Sequence, residues 1–120
     1  MSMNKEAKKR LRDSLQPDQR IVNELVSRIV DSAHPLRIIL FGSAARGQMQ
    51  SSSDLDVLVV MPDGTHRLNT MGLLFCKTAD LGVPIDFVVT TPTSLEKYKD
   101  QAGLIYRAAL RDGKELFAAI

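Results

Sequence analysis

Phe41-Gly42-Ser43, followed after a spacer of ten residues by Asp54-Leu55-Asp56-Val57-Leu58-Val59-Val60-Met61, is the stretch that decides the fold. Asp54 to Met61 reads as a strand. Successive side chains on a strand point to opposite faces, so Asp54, Asp56, Leu58 and Val60 share one face and Leu55, Val57 and Val59 the other. Two carboxylates therefore stand side by side at the start of an otherwise apolar strand. Their backbones are about 6.6 Å apart, twice the rise per residue. At that spacing both acids grip one cation, or bridge two cations about 4 Å apart. Without a cation they repel, and apolar surroundings make both charges costly.

Working back towards the N-terminus, Leu36 to Phe41 is a short apolar run ended by Gly42, a second strand. Gly42 to Ser53 is small and polar, a loop with room for one helical turn. A Gly-Ser loop at a strand end can offer backbone N–H groups and a hydroxyl to phosphate. It is not a Walker A loop, because the Gly-Lys-Ser/Thr ending is absent. Before it, Ile21, Val22, Leu25, Val26, Ile29 and Val30 form one helical stripe, which predicts a helix from about Pro17 to Ser32. His34-Pro35 breaks that helix.

Working forward, Pro62-Asp63-Gly64 is turn chemistry. A helix is expected from His66 to Asp80, with Leu68, Met71, Leu74 and Phe75 on its buried side and Gly82 closing it. Val83 to Val89 is a third strand, and Asp86 interrupts its apolar run. If this strand neighbours the Asp54–Met61 strand, Asp86 completes a three-carboxylate cluster. Oxygen-only ligands of that kind suit Mg²⁺ or Mn²⁺ rather than zinc. Each part also has a plain reading: an Asp-x-Asp at a strand start as a loop edge facing water, and Asp86 as a charge guarding a sheet edge. The combination is far more specific than either part. Thr93 and Glu96 offer a capping box. The helix after it is expected to run to Asp112 and stop at Gly113, and Leu116 to Ile120 reads as a final short strand or an extended tail. The order helix, strand, strand, helix, strand, helix predicts an α/β (α+β) fold with helices packed on a small mixed sheet.

The chain has 120 residues, 44% of them hydrophobic and 25% charged, which predicts one domain over 1–120 with a single core. A net charge of +2 is too weak to argue for direct nucleic-acid binding. The basic excess lies in Lys5, Lys8, Lys9, Arg10 and Arg12. It reads as a solvated face of a flexible basic helix within residues 1–16. Cys76 is the single cysteine. It excludes an intramolecular disulfide, fits a reducing compartment and is expected to pack as a small hydrophobe. Neither a signal peptide nor a membrane-spanning run is present, so the expected location is the cytoplasm. His34 and His66 fall away from the acids and are expected to be structural or exposed.

Phe41-Gly42-Ser43-Ala44-Ala45-Arg46-Gly47, then Ser53-Asp54-Leu55-Asp56-Val57-Leu58-Val59, resembles the signature of the polymerase-β-like nucleotidyltransferase superfamily. Ala45-Arg46-Gly47 and Ser53 resemble more narrowly the minimal nucleotidyltransferases (MNT) that act as antitoxins to HEPN-domain toxins. Ile85-Asp86-Phe87-Val88 is similar to the later strand carrying that family's third acid, and Ile105 to Phe117 to its usual ending. The resemblance covers Ile21 to Phe117.

It implies an enzyme that moves a nucleotide, AMP from ATP, to a Tyr hydroxyl of a HEPN partner. Gly42 and Ser43 would hold the triphosphate, and Arg46 would neutralise its charge. Ser53 would add a contact within the loop. Asp54, Asp56 and Asp86 would bind two Mg²⁺ ions, with Mn²⁺ as a substitute. Arg46 reads equally well as an exposed arginine, and Ser53 as a residue that shapes the turn. Nothing beyond the catalytic sheet and its helices is left to hold the acceptor, so a partner or a second copy in a homo-oligomer is expected to help. Two other functions fit the same residues: a non-catalytic antitoxin that covers its partner, and a nucleotidyltransferase acting on a small molecule such as an aminoglycoside.

Overall fold

The computed structural model describes residues 18–42, 54–99, 101 and 105–119. The expectations for residues 1–16, Pro17, Ser43, Arg46 and Ser53 lie outside them. Helix α1 spans Gln19–Ala33, and its N-cap is Asp18, whose carboxylate accepts the Arg20 N–H at 2.9 Å. Its buried residues are Val22, Leu25 and Ile29. His34 closes it in the left-handed conformation, with its N–H bonded to the Val30 carbonyl, and Pro35 prevents continuation.

Strands β1 (Arg37–Phe41), β2 (Leu55–Val60), β3 (Ile85–Thr90) and β4 (Lys114–Ala118) form a mixed sheet in the order β3-β2-β1-β4. β1 is antiparallel to both β2 and β4, and β2 and β3 are parallel. The parallel pair is connected by helix α2 (Arg67–Thr78) and a 3₁₀ turn (Ala79–Leu81), the crossover such a pair requires. Helices α3 (Pro92–Tyr98) and α4 (Ile105–Asp112) lie between β3 and β4 in sequence. The fold is therefore the expected α+β arrangement of helices on a small mixed sheet. Among the described residues no helix is long and apolar enough to cross a membrane.

Alternation along β2 divides the core in two. Leu55, Val57 and Val59 join Leu25, Ile29, Leu74 and Phe87 on the face covered by α1 and α2. Leu58 and Val60 join Ile39, Leu95 and Ala109 on the face covered by α3 and α4. The second face is the one that Asp56 and Asp86 share at its open end.

Four local expectations change. The buried face of α2 is Thr70, Leu74 and Thr78, whereas Leu68 is 74% exposed and Phe75 46%. The two threonines tolerate burial because their hydroxyls bond the carbonyls of His66 and Leu74, four residues back. Phe75 lies half out of the core, edge-on to Phe87 at 5.3 Å. Cys76, one step along this outer face, is exposed rather than packed.

The cap of α3 is Thr91, not Thr93. Pro92 occupies the first helical turn, where its missing N–H costs nothing. The Thr91 hydroxyl accepts the Ser94 N–H, and Thr93 is taken by Asp63, which accepts from both its N–H and its hydroxyl. The expected single helix to Asp112 is two, α3 ending at Tyr98 and α4 starting at Ile105. The open choice at the C-terminus resolves as strand β4, paired to β1.

Candidate active site

One end of the sheet gathers the chemistry. β2 and β3 are parallel, so their N-terminal ends lie together, and β1, running the other way, delivers its C-terminal end to the same place. The register sets Asp56 beside Asp86 and, on the other side, opposite Phe41. Neighbouring strands are about 4.8 Å apart, so Asp56 and Asp86 are adjacent across the ladder on one face. Asp54 precedes the first residue of β2, at the entrance of the strand.

The electrostatics follow from that crowding. Asp56 is half-buried, and burial pushes its carboxyl above the usual carboxylate range; the charges of Asp86 and then Asp54 push it further. Asp86 is exposed on its outer side, yet its carboxyl is also raised. Loss of water on its protein side comes first, then a hydrogen bond with Asp54, then the Asp54 charge. A hydrogen bond between two carboxyls needs a proton on one of them. A divalent cation at the same position would do the work of that proton with twice its charge.

Gly42 completes the end of β1. Its backbone has φ +72°, the left-handed region that favours glycine. Its Cα lies against the Asp56 carboxylate: an added Cβ would overlap Oδ2 and stand 3.3 Å from Cγ. The sequence alone points to Gly42 as a residue that holds the triphosphate, not as a neighbour of Asp56. Phe41, which the sequence does not mark as a site residue, packs on the α3–α4 face with Ile39 and directly opposes Asp56. The alternation of β1 carries that signal once the pairing with β2 is known.

The donor set is all oxygen, and the Asp56 carboxylate lies in the space that the missing Gly42 side chain leaves, so the residues fit a hard divalent cation. Among the described residues no three His, Cys, Asp or Glu side chains are closed into a metal-ligand group. The strands bring Asp56 and Asp86 side by side, with Asp54 at the entrance of β2, without wrapping them around a centre. His34 and His66 are at the opposite end of the sheet, capping α1 and α2.

A mixed sheet with paired acids at the end where β1 reaches Gly42 is the arrangement of nucleotide-transferring domains. Residues 8–114 match the sequence model of the nucleotidyltransferase domain, and the chain belongs to that family. The fold is also similar to the crystal structure of a candidate nucleotidyltransferase from Sulfolobus solfataricus. That match has a TM-score of 0.58 at 22% identity and covers 99% of this chain and 93% of the other. No curated protein matches the sequence.

Proposed function

We propose that this nucleotidyltransferase domain is a metal-dependent protein adenylyltransferase, moving AMP from ATP to a hydroxyl of a protein partner. Family membership supports nucleotidyl transfer. The observation that supports metal dependence is the adjacency of Asp56 and Asp86 in the β2–β3 register, with Asp54 at the entrance of β2. Three acids held together at one sheet end repel one another, and a bound cation offsets that repulsion. They fit a cation-dependent reaction.

Asp54, Asp56 and Asp86 would hold divalent cations, Mg²⁺ by donor chemistry. When bound, these supply the positive charge that steadies the attacking and leaving oxygens of an in-line displacement. Gly42 and Ser43 hold the triphosphate, with Arg46 balancing its charge and Ser53 shaping the approach to Asp54. Asp86 takes the proton of the acceptor hydroxyl. The freed oxygen bonds to the α-phosphorus, the bond from that phosphorus to the bridging oxygen of the β-phosphate breaks, and pyrophosphate leaves. The resemblance to MNT antitoxins points to a HEPN-domain protein as the acceptor and a Tyr hydroxyl as the target, and the lone thiol fits action in the cytoplasm.

The test is mass spectrometry of a HEPN partner incubated with this protein, ATP and Mg²⁺, beside an Asp54→Asn/Asp56→Asn double variant. The expected result is a gain of one or more AMP units that requires the acids. A partner that binds tightly but stays unmodified would refute the enzymatic reading.

A further inference from the structure

We infer that Gly42 is a positioning residue for the Asp56 carboxylate, in addition to any contact that it makes with phosphate. The inference rests on the proposed metal role of Asp56 and concerns what holds that carboxylate in place.

Three observations converge. Phe41 and Asp56 are direct partners in the β1–β2 ladder, so the residue after Phe41 is bound to pass close to the acid. Gly42 turns there with φ +72°, which carries its Cα in against the carboxylate. Among the described residues the three nearest atoms that an added Cβ would meet are all from Asp56: Oδ2, then Cγ at 3.3 Å and Cβ at 3.6 Å. The nearest obstruction is thus a side-chain end that can rotate. A methyl group at 42 would displace the acid from its place beside Asp86 and leave the strands as they are. Gly42 thus acts as the wall on one side of Asp56, with Asp86 on the other.

The molecule contains its own control. Gly82 has a similar positive φ, +78°, and an added Cβ there would meet nothing within 4 Å among the described residues. Gly82→Ala carries the left-handed strain alone; Gly42→Ala carries the strain and the displacement of Asp56.

The experiment compares the wild-type chain with Gly42→Ala, Gly82→Ala, Asp56→Ala and the Gly42→Ala/Asp56→Ala double variant. Each is titrated with Mn²⁺ alone, followed by the electron paramagnetic resonance signal of the free ion, and each is melted. Gly42→Ala is expected to melt with Gly82→Ala but to bind Mn²⁺ about 10- to 100-fold more weakly, the range for losing a residue that orients a metal ligand. The double variant is expected to bind no more weakly than Asp56→Ala alone. Wild-type Mn²⁺ affinity in Gly42→Ala, with affinity lost in Asp56→Ala, overturns the positioning role alone. Unchanged affinity in Asp56→Ala overturns the metal role of Asp56 and this inference with it. Should Gly42→Ala fail to fold, the double variant is expected to fold, because the obstructing carboxylate is gone. Failure of both overturns the inference.

Discussion

Two glycine-to-alanine changes, chemically identical, should move stability in opposite directions. Gly113 joins α4 to β4 and its N–H bonds the Ala109 carbonyl. A Cβ there would overlap that same carbonyl oxygen, stand 2.6 Å from Ile39 Cγ2 and 3.1 Å from the Leu40 carbonyl oxygen. Two of those atoms are backbone, one in α4 and one in β1, so relief requires the helix to lift from the strand. Overpacking a well-filled core costs about 1–3 kcal/mol when side chains can adjust. With backbone in the way, the upper end, about 3 kcal/mol, is expected for Gly113→Ala.

Gly72 lies inside α2 on its exposed side, and a Cβ there would meet nothing within 4 Å. Gly72→Ala is expected to stabilise by about 0.8–1.0 kcal/mol, the helix preference of alanine over glycine. For 120 residues an unfolding entropy of roughly 2.1 cal/mol/K per residue makes 3 kcal/mol worth about 12 °C. Gly113→Ala should therefore melt about 12 °C below the wild type and Gly72→Ala about 3–4 °C above it. Thermal melts by circular dichroism, with urea titrations for free energies, read both. Gly113→Ala within about 1 kcal/mol of wild type would refute the seating of α4 on β1. A fall in Gly72→Ala would show that something covers that side of α2.

Two titrations complete the set. Asp56 and Asp86 have raised carboxyls, so the native chain holds protons that the unfolded chain releases near the ordinary value of 3.8. Their stabilising contribution is full below that value and is lost as pH rises through the raised native values. With cations chelated, Asp56→Asn should gain stability relative to wild type as pH goes from 4 to 7 in urea titrations, and a pH-independent difference would refute it. Asp63 is lowered by its bonds from the Thr93 hydroxyl and N–H, so its contribution is present above 3.8 and lost as pH falls through the lowered value. Asp63→Ala should be less stable than wild type at pH 7, with the gap closing in acid; an equal gap at pH 7 and pH 2 would refute the tether.

The sheet was legible because its strands are short, apolar and bounded by Gly and Pro, and the acids because they interrupt those runs. Strand pairing was not legible. Nothing in the local pattern says that β4, more than seventy residues from β1, closes the sheet beside it. The buried side of α2 is not legible, because Leu68 and Phe75 fit a helical stripe as well as Leu74 does. Two threonines displaced them, by bonding their own helix backbone. The cap of α3 was placed two residues late because the claim of Asp63 on Thr93 is a contact across thirty residues. The Gly42–Asp56 contact was illegible for the same reason: it exists only through the β1–β2 register.

That register has a second dependence on the acids. β2 and β3 are apolar on both faces beyond their first residues, and a one-residue slip of such strands exchanges one set of valines and leucines for another at little cost. Asp56 and Asp86 break the degeneracy. Shifting either strand by one would turn its carboxylate under α1 and α2, into a closed hydrocarbon layer, where an unpaired charge is far too costly. The residues proposed for catalysis are thus also the marks by which the two central strands find their alignment.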